Sequence, residues 1–236
     1  MTISTAVILA GGLGTRLREV VKNVPKPMAP VNKRPFIEYI LDYWISQDVT
    51  RFILSVGYLK EKIISHFGTS YKGVKIEYVI ETEPLGTGGG LILASENLSE
   101  DFLVINGDTF IEVDLNKFYK FHNENRSQWS FALFKANDHK RFLPLGLSKK
   151  FQINFSQSNN KENFLANGGV YLMSPSLLKQ LNFEIRKKIS LEEQILSKAL
   201  DCGSRIFGFI THGNFLDIGL PEDYKTAGKF MKDLNF

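Results

Sequence analysis

The run Leu9-Ala10-Gly11-Gly12-Leu13-Gly14-Thr15-Arg16-Leu17 could hold a chain of phosphates. Glycines that directly follow an apolar stretch leave backbone N–H groups unobstructed, and such groups surround phosphate oxygens without a side chain in the way. Arg16 adds a guanidinium that can bridge two phosphate oxygens with parallel hydrogen bonds. A short distance later, in Val24-Pro25-Lys26-Pro27-Met28, two prolines are expected to hold the Lys26 backbone extended and so restrict the reach of its ammonium group. That charge would offset negative charge building up on a reacting phosphoryl centre. The loop is neither of two common phosphate binders. Gly12-Leu13-Gly14 lacks the third glycine of a dinucleotide fingerprint, and no Gly-Lys-Ser/Thr follows as in a P-loop.

The elements that must position these groups can be read from periodicity. Ala6 to Ala10 is a continuous apolar run, as in a strand buried on both faces. Ile37, Ile40, Leu41 and Trp44 recur at helical spacing, Arg51 to Val56 is β-rich, Leu59 to Phe67 helix-like and Val74 to Ile80 strand-like. Leu91 to Leu98 predicts a third helix and Phe102 to Ile105 a further buried strand. This alternation predicts an α/β fold, a doubly wound, mixed and mainly parallel sheet, because each helix returns the chain to start the next strand. Such a sheet binds ligands at the C-terminal ends of its strands. Gly11-Gly12, the segment from Glu81 to Gly90, and Asn106-Gly107-Asp108 each follow a strand, so they should converge on one edge. Beyond Phe134, residues 136–161 read as irregular or hairpin-containing, Val170 to Met173 as a strand and Ser190 to Leu200 as a capped helix. Ile206 to Ile210 and Phe215 to Ile218 read as short strands before a terminal helix opened by Pro221. One domain over 1–236 is expected, its nucleotide-binding part about 1–135 and its sugar-binding and C-terminal part about 136–236.

Composition narrows the class. Of 236 residues, 43% are hydrophobic and 23% charged, the balance of a globular protein able to bury a core. A formal charge of +4 suits an anionic ligand and is too modest to argue for nucleic acid. Cys202 is the single cysteine, so no intrachain disulfide forms, and the four histidines show no zinc spacing. No apolar run approaches the roughly 20 residues needed to span a bilayer. A cytoplasmic protein, in contact with neither membrane nor nucleic acid, is expected.

The Gly-Gly-x-Gly-Thr-Arg-Leu and Pro-Lys-Pro-Met segments resemble the signature of the sugar-1-phosphate nucleotidyltransferases, and the resemblance runs along nearly the whole chain. Glu81-Thr82-Glu83-Pro84-Leu85-Gly86-Thr87-Gly88-Gly89 is similar to the loop that reads base and sugar in that family. Asn106-Gly107-Asp108 and Phe215-Leu216-Asp217-Ile218-Gly219 match its metal-binding segments, and Asn167-Gly168-Gly169-Val170-Tyr171 matches a sugar-site strand. The resemblance implies a small sugar-binding lobe on a Rossmann-like sheet, Mg²⁺ as cofactor, and a nucleoside triphosphate and a sugar 1-phosphate as partners, with a homodimer compatible. It implies Arg16, Lys26 and Asp108 as catalytic groups and Asp108 and Asp217 as metal ligands. It places the nucleotide against Leu9, Ala10, Gly11, Gly12, Gly14, Thr15, Glu81, Pro84, Gly86 and Thr87, and the sugar against Asn106, Asn167, Gly168 and Glu192. Chemistry agrees: in-line displacement at the α-phosphorus needs its charge neutralised, and a divalent ion on two carboxylates does that.

A carboxylate only accepts hydrogen bonds, and guanine presents two adjacent donors, so Glu81 points to GTP. The chain ends soon after Asp217, without the C-terminal extension that GDP-mannose pyrophosphorylases generally carry, so the expectation is the compact branch that makes GDP-D-glycero-α-D-manno-heptose. Mannose 1-phosphate, or a uridylyl or thymidylyl transfer, stays open as an alternative. So does a regulator that keeps the fold without catalysis. An NAD-dependent oxidoreductase would need the missing glycine and an acidic residue where the chain has Val56-Gly57-Tyr58. Many relatives carry a Tyr-Gly pair where this chain reads Arg141-Phe142-Leu143-Pro144, and a Glu-Lys pair where it reads Phe155-Ser156-Gln157-Ser158.

Overall fold

The structure, a computed structural model, describes residues 3–14, 17, 20–139, 141–142, 144–154 and 164–234. Its first half is the expected alternation. Strand β1 (Thr5–Ala10) leads through the glycine loop to a short hairpin, β2 (Pro30–Val31) and β3 (Arg34–Pro35), then to helix α1 (Phe36–Ile45) and β4 (Arg51–Val56). Helix α2 (Lys60–Phe67), β5 (Ser70–Tyr71), β6 (Val74–Ile80), α3 (Gly86–Ser95) and β7 (Phe102–Asn106) follow. The second half supplies β8 (Thr109–Ile111), α4 (Leu115–Glu124), β9 (Trp129–Ala136), a small hairpin β10 (Gly146–Leu147) and β11 (Ile153–Asn154), and the long β12 (Phe164–Met173). Helices α5 (Pro175–Leu181) and α6 (Leu196–Asp201), strands β13 (Ile206–Ile210) and β14 (Phe215–Asp217), and α7 (Pro221–Asp233) complete it.

Eight strands form one sheet in the order β13-β9-β12-β7-β1-β4-β6-β5. β1 pairs in parallel with β4 and β7, and β4 with β6, whereas β12 runs antiparallel to both β7 and β9. The chain builds outward from β1 through β4 to β6 and then returns to lay β7 on the other side of β1. That reversal is a topological switch point, and the crevice at the C-terminal ends of the strands there is where such sheets bind ligands.

Alternation along the strands divides the core in two. Ala6, Ile8 and Ala10 of β1, Phe52 and Leu54 of β4, and Leu103 and Ile105 of β7 face the side covered by α1, α2, α4 and α7. Val7, Ile53, Phe102 and Val104 face α3, α5 and α6. The central strands therefore read as unbroken apolar runs, because neither face meets water.

Three expectations need correction. Helix α3 starts at Gly86 rather than Leu91, against the low helix propensity of its glycines, because the Ile189 carbonyl accepts from the N–H groups of Gly88 and Gly89 at 2.9 and 3.2 Å. Lys26 is not extended: Lys26–Met28 form a 3₁₀ turn, with Met28 N donating to the Pro25 carbonyl at 2.8 Å. Pro27 is tolerated there because the first N–H groups of a helical turn have no internal partner to lose. The capped helix expected at Ser190 begins as a π-helical turn, Leu191–Ile195, before it becomes α6. Ser190 is its cap as expected, its Oγ accepting from Glu193 N at 3.1 Å.

On the solvent side of the sheet, Arg51 of β4 reaches diagonally to Glu77 of β6, with Nη2 to Oε2 at 2.7 Å, and Lys75 also pairs with Glu77. The hydrogen bonds from Arg51 and Lys75 pull the Glu77 carboxyl down from its ordinary 4.5 to about 2. A depressed folded value adds stability above the unfolded pKa and loses it as the pH falls through the folded one. Glu77→Gln should lower the melting temperature at neutral pH, with the difference from wild type shrinking as the pH is taken from about 4.5 towards 2. Thermal unfolding across that range checks it, and added salt should shrink the neutral-pH difference as well.

Candidate functional site

The loops after β1, β6 and β7 close around a cavity of about 490 Å³, a size suited to a nucleotide and a sugar. Of the residues singled out from sequence, Leu9, Ala10, Gly11, Gly12, Gly14, Lys26, Glu81, Pro84, Gly86, Thr87, Asn106 and Asp108 line it. Thr15 and Arg16 lie outside the described residues.

Glu81 ends β6 beneath the glycine loop and is 9% exposed. Its Oε1 accepts from Ser55 Oγ at 2.9 Å and its Oε2 from Leu85 N at 3.1 Å. The loop can lie this close only because it has no side chain there: a Cβ on Gly11 would stand 2.1 Å from Glu81 Oε1, and one on Gly90 2.9 Å from the same atom. The glycines thus serve Glu81 as much as any phosphate. Two internal donors occupy two of roughly four acceptor positions on a carboxylate, which leaves capacity for a ligand.

Glycines also set the opposite wall. Gly86, at φ +71°, would place a Cβ 2.6 Å from the Ile189 carbonyl oxygen, and Gly89 one 2.3 Å from that of Lys187. The strip Lys187–Ile189 therefore packs directly on the start of α3, and it delivers Lys188 to the cavity. Sequence reasoning missed Lys188. Its signal, the basic run Arg186-Lys187-Lys188, is what any solvated surface turn shows. Among the described residues Lys188 makes no ion pair, so its charge can meet a phosphate.

The floor carries the charges. Lys26 Nζ pairs with Asp108, both lining the cavity. Asp217 pairs in register with Thr109, and Ile218 N donates to the Asp108 carbonyl at 3.1 Å, so Asp217, at the end of β14, lies beside Asp108, which immediately precedes β8, although the two are far apart in sequence. A Cβ on Gly219 would stand 2.6 Å from Asp217 Oδ1 and 2.7 Å from Lys26 Nζ, so the space beside Gly219 is bordered by both groups. Among the described residues no group of three or more His, Cys, Asp or Glu could hold a metal. Two neighbouring carboxylates nonetheless fit a hard divalent ion whose remaining ligands are water and substrate phosphate.

On the sugar side, Asn106 Oδ1 is buried with no hydrogen-bond partner, an acceptor that a ligand hydroxyl would satisfy. Asn167, Gly168 and Glu192 stand behind the cavity wall rather than on it. From Asn167 to Tyr171 β12 advances four positions while β9 advances two, a bulge that contains Gly168 and Gly169. Gly168 packs on Ile111, where a Cβ would fall 2.4 Å from Ile111 Cδ1, so it can offer a ligand only backbone. Gly169, at φ +74°, approaches Asn106 and Thr109.

The contact of Gly11 with Glu81 makes their substitutions interdependent. Gly11→Ala should destabilise the protein by about 1–3 kcal/mol in urea unfolding, since a new methyl would strike a buried carboxylate. The cost should fall in a Glu81→Ala background, and equal costs in the two backgrounds would refute the contact.

The comparisons with known proteins agree with this geometry. The family profile described as Nucleotidyl transferase matches residues 5–233. A D-glycero-alpha-D-manno-heptose 1-phosphate guanylyltransferase of Aneurinibacillus thermoaerophilus is 38% identical over 228 residues, 96% of this chain and 98% of that protein. The enzyme of the same name from Campylobacter jejuni is 38% identical over 93% of this chain and 96% of its own length. Among solved structures, HddC from Yersinia pseudotuberculosis complexed with GMP-PN superposes with a TM-score of 0.83 at 33% identity, over 97% of this chain and 99% of that one. With its profile matched nearly end to end and its glycine, Glu81 and Asp108 loops gathered at one switch point, the chain belongs to the nucleotidyl transferase family.

Proposed function

We propose that this chain is a guanylyltransferase that joins GMP, taken from GTP, to D-glycero-α-D-manno-heptose 1-phosphate and releases pyrophosphate. A phosphate oxygen of the sugar attacks the α-phosphorus of GTP as the bond from that phosphorus to the β-phosphate bridge oxygen breaks. The observation that carries the reading is a buried carboxylate, Glu81, lining the same cavity as the glycine loop and the Lys26–Asp108 pair. Each Glu81 oxygen keeps acceptor capacity beyond its internal donor, which suits the two adjacent donors of guanine. Relatives named for this reaction match over more than nine-tenths of both chains, which supports the same substrates here.

In this reading residues 1–236 act as one cytoplasmic unit. The backbone N–H groups of Gly11, Gly12 and Gly14 receive the triphosphate, and Thr15 and Arg16, which lie outside the described residues, are assigned to it from sequence alone. Leu9, Ala10, Pro84, Gly86 and Thr87 flank the nucleotide. Lys26 neutralises phosphate charge, and Asn106, Asn167, Gly168 and Glu192 recognise the sugar. Asp108 and Asp217 would hold Mg²⁺, which when bound supplies positive charge at the α-phosphate. Lys26, paired with Asp108, keeps that carboxylate compensated before substrate arrives.

A pyrophosphate-release screen crossing the common nucleoside triphosphates with mannose, glucose and manno-heptose 1-phosphates tests the reading. GTP with the heptose phosphate should give the highest kcat/KM, and a preference for UTP or dTTP would sink it. Asp108→Asn should cut kcat at least about 10²-fold while the fold is retained, because charge at the reacting phosphate is lost; wild-type turnover would remove Asp108 from catalysis. Glu81→Gln should narrow the preference for GTP over other triphosphates about tenfold or more, as expected for one lost charged hydrogen bond, in a competition assay.

A further inference from the structure

One buried hydroxyl lies outside everything assigned so far. Tyr171 is fully buried on β12, its ring edge-on to Phe131 with centroids 4.9 Å apart. Its hydroxyl does not end on backbone, as a core tyrosine can. It accepts from Asn167 Nδ2 at 2.7 Å and faces Glu192 Oε1 at 3.3 Å. The other oxygen of Glu192 faces Thr87 Oγ1 at 3.4 Å, and Thr87 lines the cavity and also accepts from Leu191 N at 3.0 Å. Beyond the phenol, Asn167 Oδ1 accepts from Gly169 N at 3.0 Å and so closes the bulge.

This relay joins three elements remote in sequence: the start of α3 on the nucleotide side, the π-helical turn carrying Glu192, and the bulged strand carrying Asn167. The turn is irregular and the bulge is unpaired, so neither backbone by itself holds its side chain in one orientation. We infer that Tyr171 is a positioning residue for the sugar half of the reaction, its hydroxyl fixing Glu192 and Asn167 relative to each other and, through Thr87, to the nucleotide loop. The inference rests on the sugar-1-phosphate reading above. Burial, and then the nearby Glu192 charge, push the phenol well above its ordinary value, so it stays a neutral donor throughout the working pH range. Recognition of a polyhydroxylated ligand needs its acid and amide at set spacing, and the two contacts to Glu192, long as they stand, are of the kind that shorten when a substrate is bound.

Tyr171→Phe keeps the ring and removes only the hydroxyl. Steady-state kinetics of that variant with GTP and D-glycero-α-D-manno-heptose 1-phosphate should show the sugar KM raised about five- to twentyfold, with the GTP KM within about twofold of wild type. Thr87→Val removes the hydroxyl at the other end of the relay and should raise the same sugar KM, and Thr87→Ser should restore it. A merely structural hydroxyl would instead lower the folded fraction, reducing kcat with both KM values intact, and that outcome overturns the proposal. So does an unchanged sugar KM in Tyr171→Phe or, should that variant not fold, in Thr87→Val. A wild-type protein that turns over no sugar 1-phosphate overturns the guanylyltransferase reading and this one with it, and is seen before any variant is made. An active wild type with an unmoved variant overturns this one alone.

Discussion

Lys26 is ion-paired with Asp108, with Asp217 on the neighbouring β14, and most of the site's construction serves that meeting. Two neighbouring carboxylates repel each other and are eased by a cation close by. Lys26 reaches Asp108 from a tight 3₁₀ turn, and Gly219 must lack a side chain because Asp217 and Lys26 already fill the space where one would start. Gly107 is constrained likewise: its N–H donates to the Leu9 carbonyl at 3.0 Å, and a Cβ there would press on that oxygen at 2.9 Å and on Pro27 at 3.1 Å. The charge cluster, the end of β1 and the turn after β7 are thus one packed unit. It stands at the switch point of the sheet, at the strand ends where such folds bind ligands.

Bare backbone recurs across the cavity for a second purpose. Gly11 and Gly90 make room for the Glu81 carboxylate, and Gly86 and Gly89 make room for the strip Lys187–Ile189. In both places what the glycine admits is another part of the protein. A buried carboxylate without partners would be costly, and the hydrogen bonds from Ser55 and Leu85 make its burial tolerable. The same packing brings Lys188 to the cavity that Lys26 and Asp108 also line, so two lysines face the same space.

The region around Tyr171 is built differently. Where the strand-end loops use backbone and glycine, this region uses a bulge, a π-helical turn and side-chain hydrogen bonds joined through Tyr171. A site made of regular loops at strand ends is largely fixed by topology. One made of irregular backbone depends on side-chain contacts to keep its shape.

The amino-acid sequence by itself determined the parallel half of the sheet and which strand-end loops, after β1, β6 and β7, meet at one cavity. Ala6 to Ala10, Arg51 to Val56 and Val74 to Ile80 carry their strand signal locally, and β4 and β6 have the expected bounds because local pattern and burial agree. The tertiary structure alone decided where α3 begins, since Gly86 to Gly89 are helical only through the Ile189 carbonyl, a residue remote in sequence. It decided the turn at Lys26, and it revealed β9, α4 and α5, which the periodicity had not marked. It also decided that Asp217 lies beside Asp108 and that Lys188, Tyr171 and Glu192 belong with Thr87. The reason is range. Periodicity and turn chemistry report interactions within a few residues, whereas a cavity wall is set by segments as far apart as Leu9 and Gly219, whose meeting depends on how the whole sheet is wound.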